Sequence, residues 1–101
     1  MIEKDDSIVK LIERLKSKID FTAIEFVPYW DADLCAIGLK QRNHLIYIST
    51  YDYTELPEFQ CYFELELIDE KNGDETIETI LVGREVSETE LVAVMKEHFN
   101  I

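Results

Sequence analysis

Between residues 22 and 82, β-branched and aromatic side chains recur at every second position, which is typical of half-buried strands. The pattern predicts five strands, at residues 22–29, 33–40, 44–51, 59–69 and 75–82. The breaks between them are residues 30–32, 41–43 and 52–58 and the pair Asn72–Gly73. An Asn-Gly pair is a strong hairpin signal because both residues tolerate a positive φ. Because no break is long enough for a crossover helix, neighbouring strands should be antiparallel.

Two amphipathic helices flank this strand region. Residues 7–19 carry apolar side chains at helical spacing, with Ser7 as the predicted N-cap. Residues 87–99 begin with a capping box, in which Ser87 and Glu90 bond each other's backbone N–H groups. The sequence therefore predicts an α+β fold in one domain of 101 residues. We expect a five-stranded antiparallel sheet, in the order helix, five strands, helix, with both terminal helices packed on one face.

The chain is strongly acidic, and its charge is unevenly distributed. Twenty-two Asp and Glu residues against ten Lys and Arg residues give a net charge of −12. Residues 52–90 hold thirteen acids but only two bases, Lys71 and Arg84, so this segment alone carries −11. Such a field repels nucleic-acid phosphates and anionic lipids and attracts cationic proteins. We expect a basic protein partner, no direct nucleic-acid binding and no membrane contact; a merely solvated surface is the alternative.

The sequence also favours a cytoplasmic location. No apolar run approaches the roughly 18 residues that cross a bilayer, and residues 1–7 lack the apolar core of a secretory signal. Cys35 and Cys61 lie in apolar alternating runs and do not form a C-x-x-C pair. Free thiols in a reducing compartment are the expected state, with a disulfide between them as the alternative.

Alternation assigns the strand residues to two faces of the predicted sheet. In the fourth strand, Phe59, Cys61, Phe63, Leu65 and Leu67 point to one side, and Gln60, Tyr62, Glu64, Glu66 and Ile68 to the other. The helices should cover the first side and leave the second open. The same reasoning places four tyrosines on the open face, Tyr29, Tyr47, Tyr51 and Tyr62, with Tyr53 on the adjoining loop.

This open face is the predicted partner-binding surface. Its candidate residues are Tyr47, Tyr51, Asp52, Tyr53, Glu55, Glu58, Tyr62, Glu64 and Glu66. Tyrosine offers a large rigid contact area, and carboxylates among aromatic rings accept bidentate contacts from arginine. Two alternatives stay open: the tyrosines are simply good strand formers, or the face is a homodimer interface.

No catalytic or metal-binding pattern is present. The two histidines, His44 and His98, are far apart in the sequence. The element Asp69-Glu70-Lys71 resembles part of a nuclease motif, but it ends at the tip of the predicted Asn72–Gly73 hairpin. There is no Gly-rich phosphate loop and no nucleophile elbow. We therefore expect no enzymatic activity, no metal and no cofactor.

In its size, acidity, α+β pattern and predicted exposed segment Tyr51-Asp52-Tyr53-Thr54-Glu55, the chain resembles the immunity proteins of bacterial polymorphic-toxin and contact-dependent growth inhibition systems. The resemblance implies a cytoplasmic inhibitor that binds and neutralises a co-encoded cationic toxin domain, expected to be a nuclease, without catalysis. Two other functions stay open on the sequence. One is a dedicated secretion chaperone for a single effector, and the other is a nucleic-acid mimic that inhibits a host enzyme.

Overall fold

The computed structural model describes residues 4–27, 33–71 and 73–101. The elements in chain order are α1 (Asp6–Lys18), β1 (Glu25–Val27), β2 (Ala36–Gln41), β3 (His44–Ser49), β4 (Cys61–Lys71), β5 (Asp74–Val86) and α2 (Glu88–Phe99). The predicted α+β class and the order helix, five strands, helix are confirmed. Part of the first predicted strand, with Tyr29, the predicted break at 30–32 and Asn72 lie outside the described residues.

The sheet is an antiparallel meander in which each strand pairs with its neighbours in sequence, in the order β1-β2-β3-β4-β5. The β2–β3 turn is closed by the pair Gln41–His44, and Arg42 has a φ of +56° there. The β4–β5 hairpin is closed by the pair Lys71–Asp74. Gly73 at this turn has a φ of +83°, as the Asn-Gly signal predicts.

Both helices pack on one face of the sheet, as predicted. One core joins side chains of α1, of α2 and of the sheet face made by β2, β3 and β4. Its most buried members include Ile8, Leu11 and Leu15 from α1, Leu91 and Met95 from α2, and Leu39, Ile46 and Ile48 from the sheet. At the surface, Glu88 of α2 binds both Arg14 and Lys18 of α1. The opposite sheet face therefore carries neither α1 nor α2.

The start of α1 differs from the prediction, whereas the start of α2 confirms it. Asp5, not Ser7, is the N-cap of α1, because its carboxylate accepts the Ser7 backbone N–H at 3.0 Å. The Ser7 hydroxyl donates to the same carboxylate at 2.6 Å, and these bonds lower the pKa of Asp5. At α2 Ser87 is the N-cap as predicted, because its hydroxyl accepts the Glu90 N–H at 3.2 Å. The return bond of the capping box differs: Glu90 Oε1 accepts the Ser87 hydroxyl at 3.3 Å in place of the Ser87 backbone N–H.

The last strand, β5, extends four residues beyond the predicted end at Val82 and contains two irregularities. The flanking pairs are Leu65–Leu81 and Glu66–Thr79 at the first, and Phe63–Gly83 and Cys61–Val86 at the second. Ile80 is the extra residue at the first irregularity. At the second, Glu85 has a φ of +53°. Each bulge shifts the alternation by one residue, which explains why period two separates polar from apolar side chains poorly here.

Candidate protein-binding groove

A groove of about 490 Å³ lies on the sheet face opposite α1 and α2. Four tyrosines line it, Tyr47, Tyr51, Tyr53 and Tyr62, and the remaining lining residues are Asp33, Ser49, Asp52 and Arg84. We call this site the tyrosine groove. The four tyrosines come from two strands and the connection between them, so the fold concentrates in one place residues that span sixteen positions of the sequence.

The floor of the groove is set by the pairing of β3 with β4. Tyr47 lies opposite Glu64, and Ser49 lies opposite Tyr62. The rings of Tyr47 and Tyr62 meet edge to face, with centroids 6.1 Å apart and an angle of 71° between their planes. The Tyr62 hydroxyl donates to Glu64 Oε1 at 2.5 Å, a bond that raises the pKa of Tyr62 to about 12. Both rings are thus fixed before any partner arrives.

A short 3-10 helix, Tyr51–Tyr53, forms one wall of the groove. The residue before it, Thr50, is 1% exposed, and its N–H donates to the Cys35 carbonyl at 2.8 Å. The Thr50 and Ser7 hydroxyls are hydrogen-bonded at 2.7 Å, which ties this wall to the start of α1. The Tyr53 hydroxyl accepts the Glu85 N–H at 3.3 Å, whereas Tyr51 is 72% exposed and projects into solvent.

The charges inside the groove are mixed. Asp33 and Asp52 are its acids, and Arg84 is its base. The guanidinium of Arg84 lies over the Tyr62 ring. Alternation could not place Asp33, which precedes β2, or Arg84, which lies within the second irregularity of β5. One sequence signal did mark Arg84: it is the only Lys or Arg between residues 72 and 95.

The remaining predicted partner-binding residues do not line the groove; they are Glu55, Glu58, Glu64 and Glu66. Glu64 is half-buried and held by Tyr62, while Glu55 and Glu58 are exposed on the loop after the 3-10 helix and do not line the groove. Glu66 is only 7% exposed, so the prediction that it belongs to the exposed surface is wrong. It lies on the expected face, but Leu45, which pairs with it, is fully buried, so this part of the face is closed to solvent.

The Glu66 carboxylate is buried with incomplete hydrogen bonding. Its Oε2 accepts the Thr79 hydroxyl at 3.3 Å, and its Oε1 has no hydrogen-bond partner. Desolvation raises the pKa of this carboxyl group, and the neighbouring charge of Glu64 adds to the increase. Glu66 therefore contributes a buried titratable group beside the groove and no contact surface for a partner.

The two histidines contact each other, and the two cysteines do not form a disulfide. His44 and His98, distant in sequence, pack edge to face with ring centroids 5.0 Å apart. His98 Nε2 lies 3.0 Å from the Leu45 carbonyl oxygen, and burial lowers the pKa of this imidazole. Both cysteines are free thiols, and burial raises the pKa of Cys61 to about 12. Within the described ranges, no three His, Cys, Asp or Glu residues are grouped so that they could hold a metal ion.

Comparison of the chain with protein-family models, with curated proteins and with solved structures finds no match in any of the three. Neither helix of the described part of the chain is long and apolar enough to cross a membrane. The tyrosine groove is the feature of this chain whose chemistry indicates a function.

Proposed function

We propose that this chain is a non-catalytic inhibitor of the immunity-protein type, which binds and neutralises a cationic toxin domain of the nuclease class. The observation that carries the proposal is the tyrosine groove itself. Four tyrosines converge there with Asp33 and Asp52, on the sheet face opposite α1 and α2. Rigid aromatic rings beside carboxylates form a surface suited to the Arg and Lys side chains of a basic protein.

The tyrosines provide contact area at low entropic cost. Tyr47 and Tyr62 are fixed by their edge-to-face packing, and Tyr53 is held by its bond to the Glu85 N–H. A partner therefore does not have to order these side chains when it binds. Tyr51 is the projecting ring, at 72% exposure, and its burial would remove the most aromatic surface from water. We expect Tyr51 to be the principal hot spot.

The charge distribution favours a basic partner and specifies one detail of it. The segment from residue 52 to residue 90 carries −11, and Glu55 and Glu58 are exposed on the loop after the 3-10 helix. Such a field accelerates the approach of a cationic protein by about 10–1000-fold at low salt. Arg84 is the positive point inside the groove. A complementary partner would therefore place a carboxylate or carbonyl oxygen opposite Arg84, among its own cations.

The cytoplasm is the proposed site of action. The nucleic acid that a nuclease toxin would attack is found there, so an inhibitor must be present in the same compartment. The two free thiols, Cys35 and Cys61, suit a reducing environment.

Affinity capture from the native host tests the proposal with three baits: the wild type, Tyr51→Ala and Lys16→Glu. Lys16 is exposed on α1, on the side of the sheet opposite the groove, and serves as the control position. We expect the wild type and Lys16→Glu to enrich one basic protein that Tyr51→Ala enriches poorly. The purified partner should degrade nucleic acid or arrest growth, and addition of this chain should block that activity. Capture of an acidic protein would overturn the proposal.

Binding kinetics with the captured partner distinguish long-range electrostatic attraction from close packing at the contact surface. Glu58→Lys should slow association and flatten its dependence on salt, because an exposed charge outside the groove acts at long range. Tyr51→Ala should instead speed dissociation and weaken binding by about 2 kcal/mol or more, because it removes packed area from a desolvated centre. If Lys16→Glu weakens binding more than both, the partner contacts the helical face and the groove is not its site.

A further inference from the structure

The last strand of the sheet has an uncovered edge. β5 pairs with β4 on one side, and it ends the strand order within the described residues. Its thirteen residues include neither Lys nor Pro, so its protection against further pairing consists of five charged side chains and the two bulges beyond Thr79. From Asp74 to Thr79 the strand pairs with β4 without a bulge, so its outer edge is regular over six residues. This edge can accept another strand.

The side chains of β5 are unusually apolar for an exposed strand. Ile77, Ile80, Leu81 and Val82 are 44%, 48%, 50% and 42% exposed. Ile77 and Val82 pair with residues of the groove-bearing face, whereas Ile80 and Leu81 border a trough of about 370 Å³ beside α2. Both sides of the strand therefore keep apolar surface in water that an added strand would bury.

The charges along β5 indicate what kind of strand fits. The strand carries four acids, Asp74, Glu75, Glu78 and Glu85, and a single base, Arg84. A second copy of β5 would bring four more acids and only one more base against these, in a chain that already carries −12. An added strand with Lys or Arg would instead neutralise them. The edge is thus complementary to a basic segment and not to itself.

We propose that β5 is a docking edge for an extended, basic segment of a protein partner, which adds to the sheet as a sixth strand with apolar residues alternating with Lys or Arg. Backbone hydrogen bonds along β5 would give affinity, and burial of Ile77 and Leu81 with neutralisation of the carboxylates would give selectivity. The proposal deepens the proposed function and rests on it, since the same basic partner would use both surfaces. The groove and the edge are continuous at Arg84, which belongs to β5 and also lines the groove.

A labelled peptide of about ten residues, with valine and lysine in alternation, is the probe. Fluorescence anisotropy measures its binding, and amide hydrogen exchange of the wild-type complex shows whether β5 becomes protected. The edge variants are Ile77→Lys and Leu81→Lys. The matched control is Leu56→Lys, which makes the same change at a loop side chain that is 46% exposed. We expect both edge variants to weaken binding by about tenfold or more, and Leu56→Lys to leave it unchanged.

Three results would overturn the docking edge: equal binding of a valine–glutamate peptide, protection outside β5, or equal binding by the edge variants. Sedimentation tests whether a second copy of this chain occupies the edge, because a wild-type dimer that Ile77→Lys dissociates would make the edge a self-association surface.

The experiments distinguish failure of the docking edge from failure of the proposed function. Capture of a basic protein through Tyr51 without peptide binding at β5 removes only the docking edge. Peptide binding at β5 without a captured basic partner removes only the toxin-inhibitor function.

Discussion

The guanidinium carbon of Arg84 lies 5.3 Å from the centroid of the Tyr62 ring, so the groove holds a cation of its own against one of its tyrosines. The distance is typical of a cation–π interaction. Tyr62 is oriented for it from two sides, by its bond to Glu64 and by its packing against Tyr47. The groove therefore already contains one example of the contact that the proposed partner would make with it.

Removal of this internal cation should affect stability and association in opposite directions. Arg84→Ala is expected to lower the free energy of unfolding by about 0.5–1 kcal/mol, the usual contribution of an exposed cation–π pair. It should also speed association with the basic partner at low salt, because the groove becomes more negative. Urea denaturation and stopped-flow binding measure the two effects. Arg84→Lys keeps the charge and should leave the association rate unchanged; slower association of Arg84→Ala would show that Arg84 attracts the partner.

The close approach of Phe63 to Gly83 predicts a steric effect. A Cβ at Gly83 would lie 2.2 Å from Phe63 Cε2, far inside van der Waals contact. Gly83→Ala should therefore destabilise the protein by about 1–3 kcal/mol through overpacking, measured by urea denaturation. In the background of Phe63→Leu the same substitution should have a clearly smaller effect, because the ring atoms that it meets are gone.

Gly73→Ala provides the contrast to Gly83→Ala. Nothing lies within 4 Å of a Cβ at Gly73, but the φ of +83° disfavours any side chain there, by about 1–2 kcal/mol. Because this strain belongs to the backbone, Phe63→Leu should not relieve it. A double-mutant cycle with strong coupling between Gly73 and Phe63 would contradict this separation of causes.

Loss of the α2 cap should affect stability alone. Ser87→Ala removes the acceptor of the Glu90 N–H and should lower the free energy of unfolding by about 0.5–2 kcal/mol. Ser87 does not line the groove, so partner affinity should not change. Thr89→Ala, at an exposed position of the first turn, is the matched control and should change stability by less than about 0.5 kcal/mol. Reduced partner affinity at normal stability would place the binding surface near α2.

The buried carboxyl group of Glu66 predicts a pH dependence of stability. Because its pKa is raised in the folded state, the unfolded chain loses this proton first as the pH rises above the ordinary value near 4.5. The contribution of Glu66 to stability is therefore largest at low pH and falls as the pH rises through the folded-state pKa. Glu66→Gln should stabilise the protein more at pH 7 than at pH 4, as measured by urea denaturation at both values. Glu70→Gln, an exposed change on the same strand, is the control; an equal gain from Glu66→Gln at both pH values would contradict the prediction.

Local patterns were enough to predict the fold. The Asn72–Gly73 pair predicted a hairpin because the positive φ that the turn requires depends on these two residues alone. The helix-start signal of Ser87 and Glu90 likewise spans only one helical turn. The helical face of the sheet followed from alternation along β4, where Phe63 and Leu65 are buried as expected. The N-cap of α1 was misassigned because Asp5 and Ser7 are both good N-cap residues, and only the backbone geometry separates them.

Features that depend on distant residues could not be predicted in the same way. Alternation places Glu66 on the correct face, but it does not show whether neighbouring strands leave that position exposed. Arg84 enters the groove from the second irregularity of β5, where the period-two rule fails. The contact between His44 and His98 joins β3 to α2, and nothing in either local sequence indicates it.

The contacts of Glu88 with Arg14 and Lys18 have a consequence for the order of folding. They join residues 74 and 70 positions apart, whereas every strand of the meander pairs with a neighbour in sequence. Hairpins close short loops quickly, but the meeting of the two helices must overcome the entropy of closing almost the whole chain. We expect this last closure to set the rate of folding. In that step α1 and α2 pack against the formed sheet and contact each other.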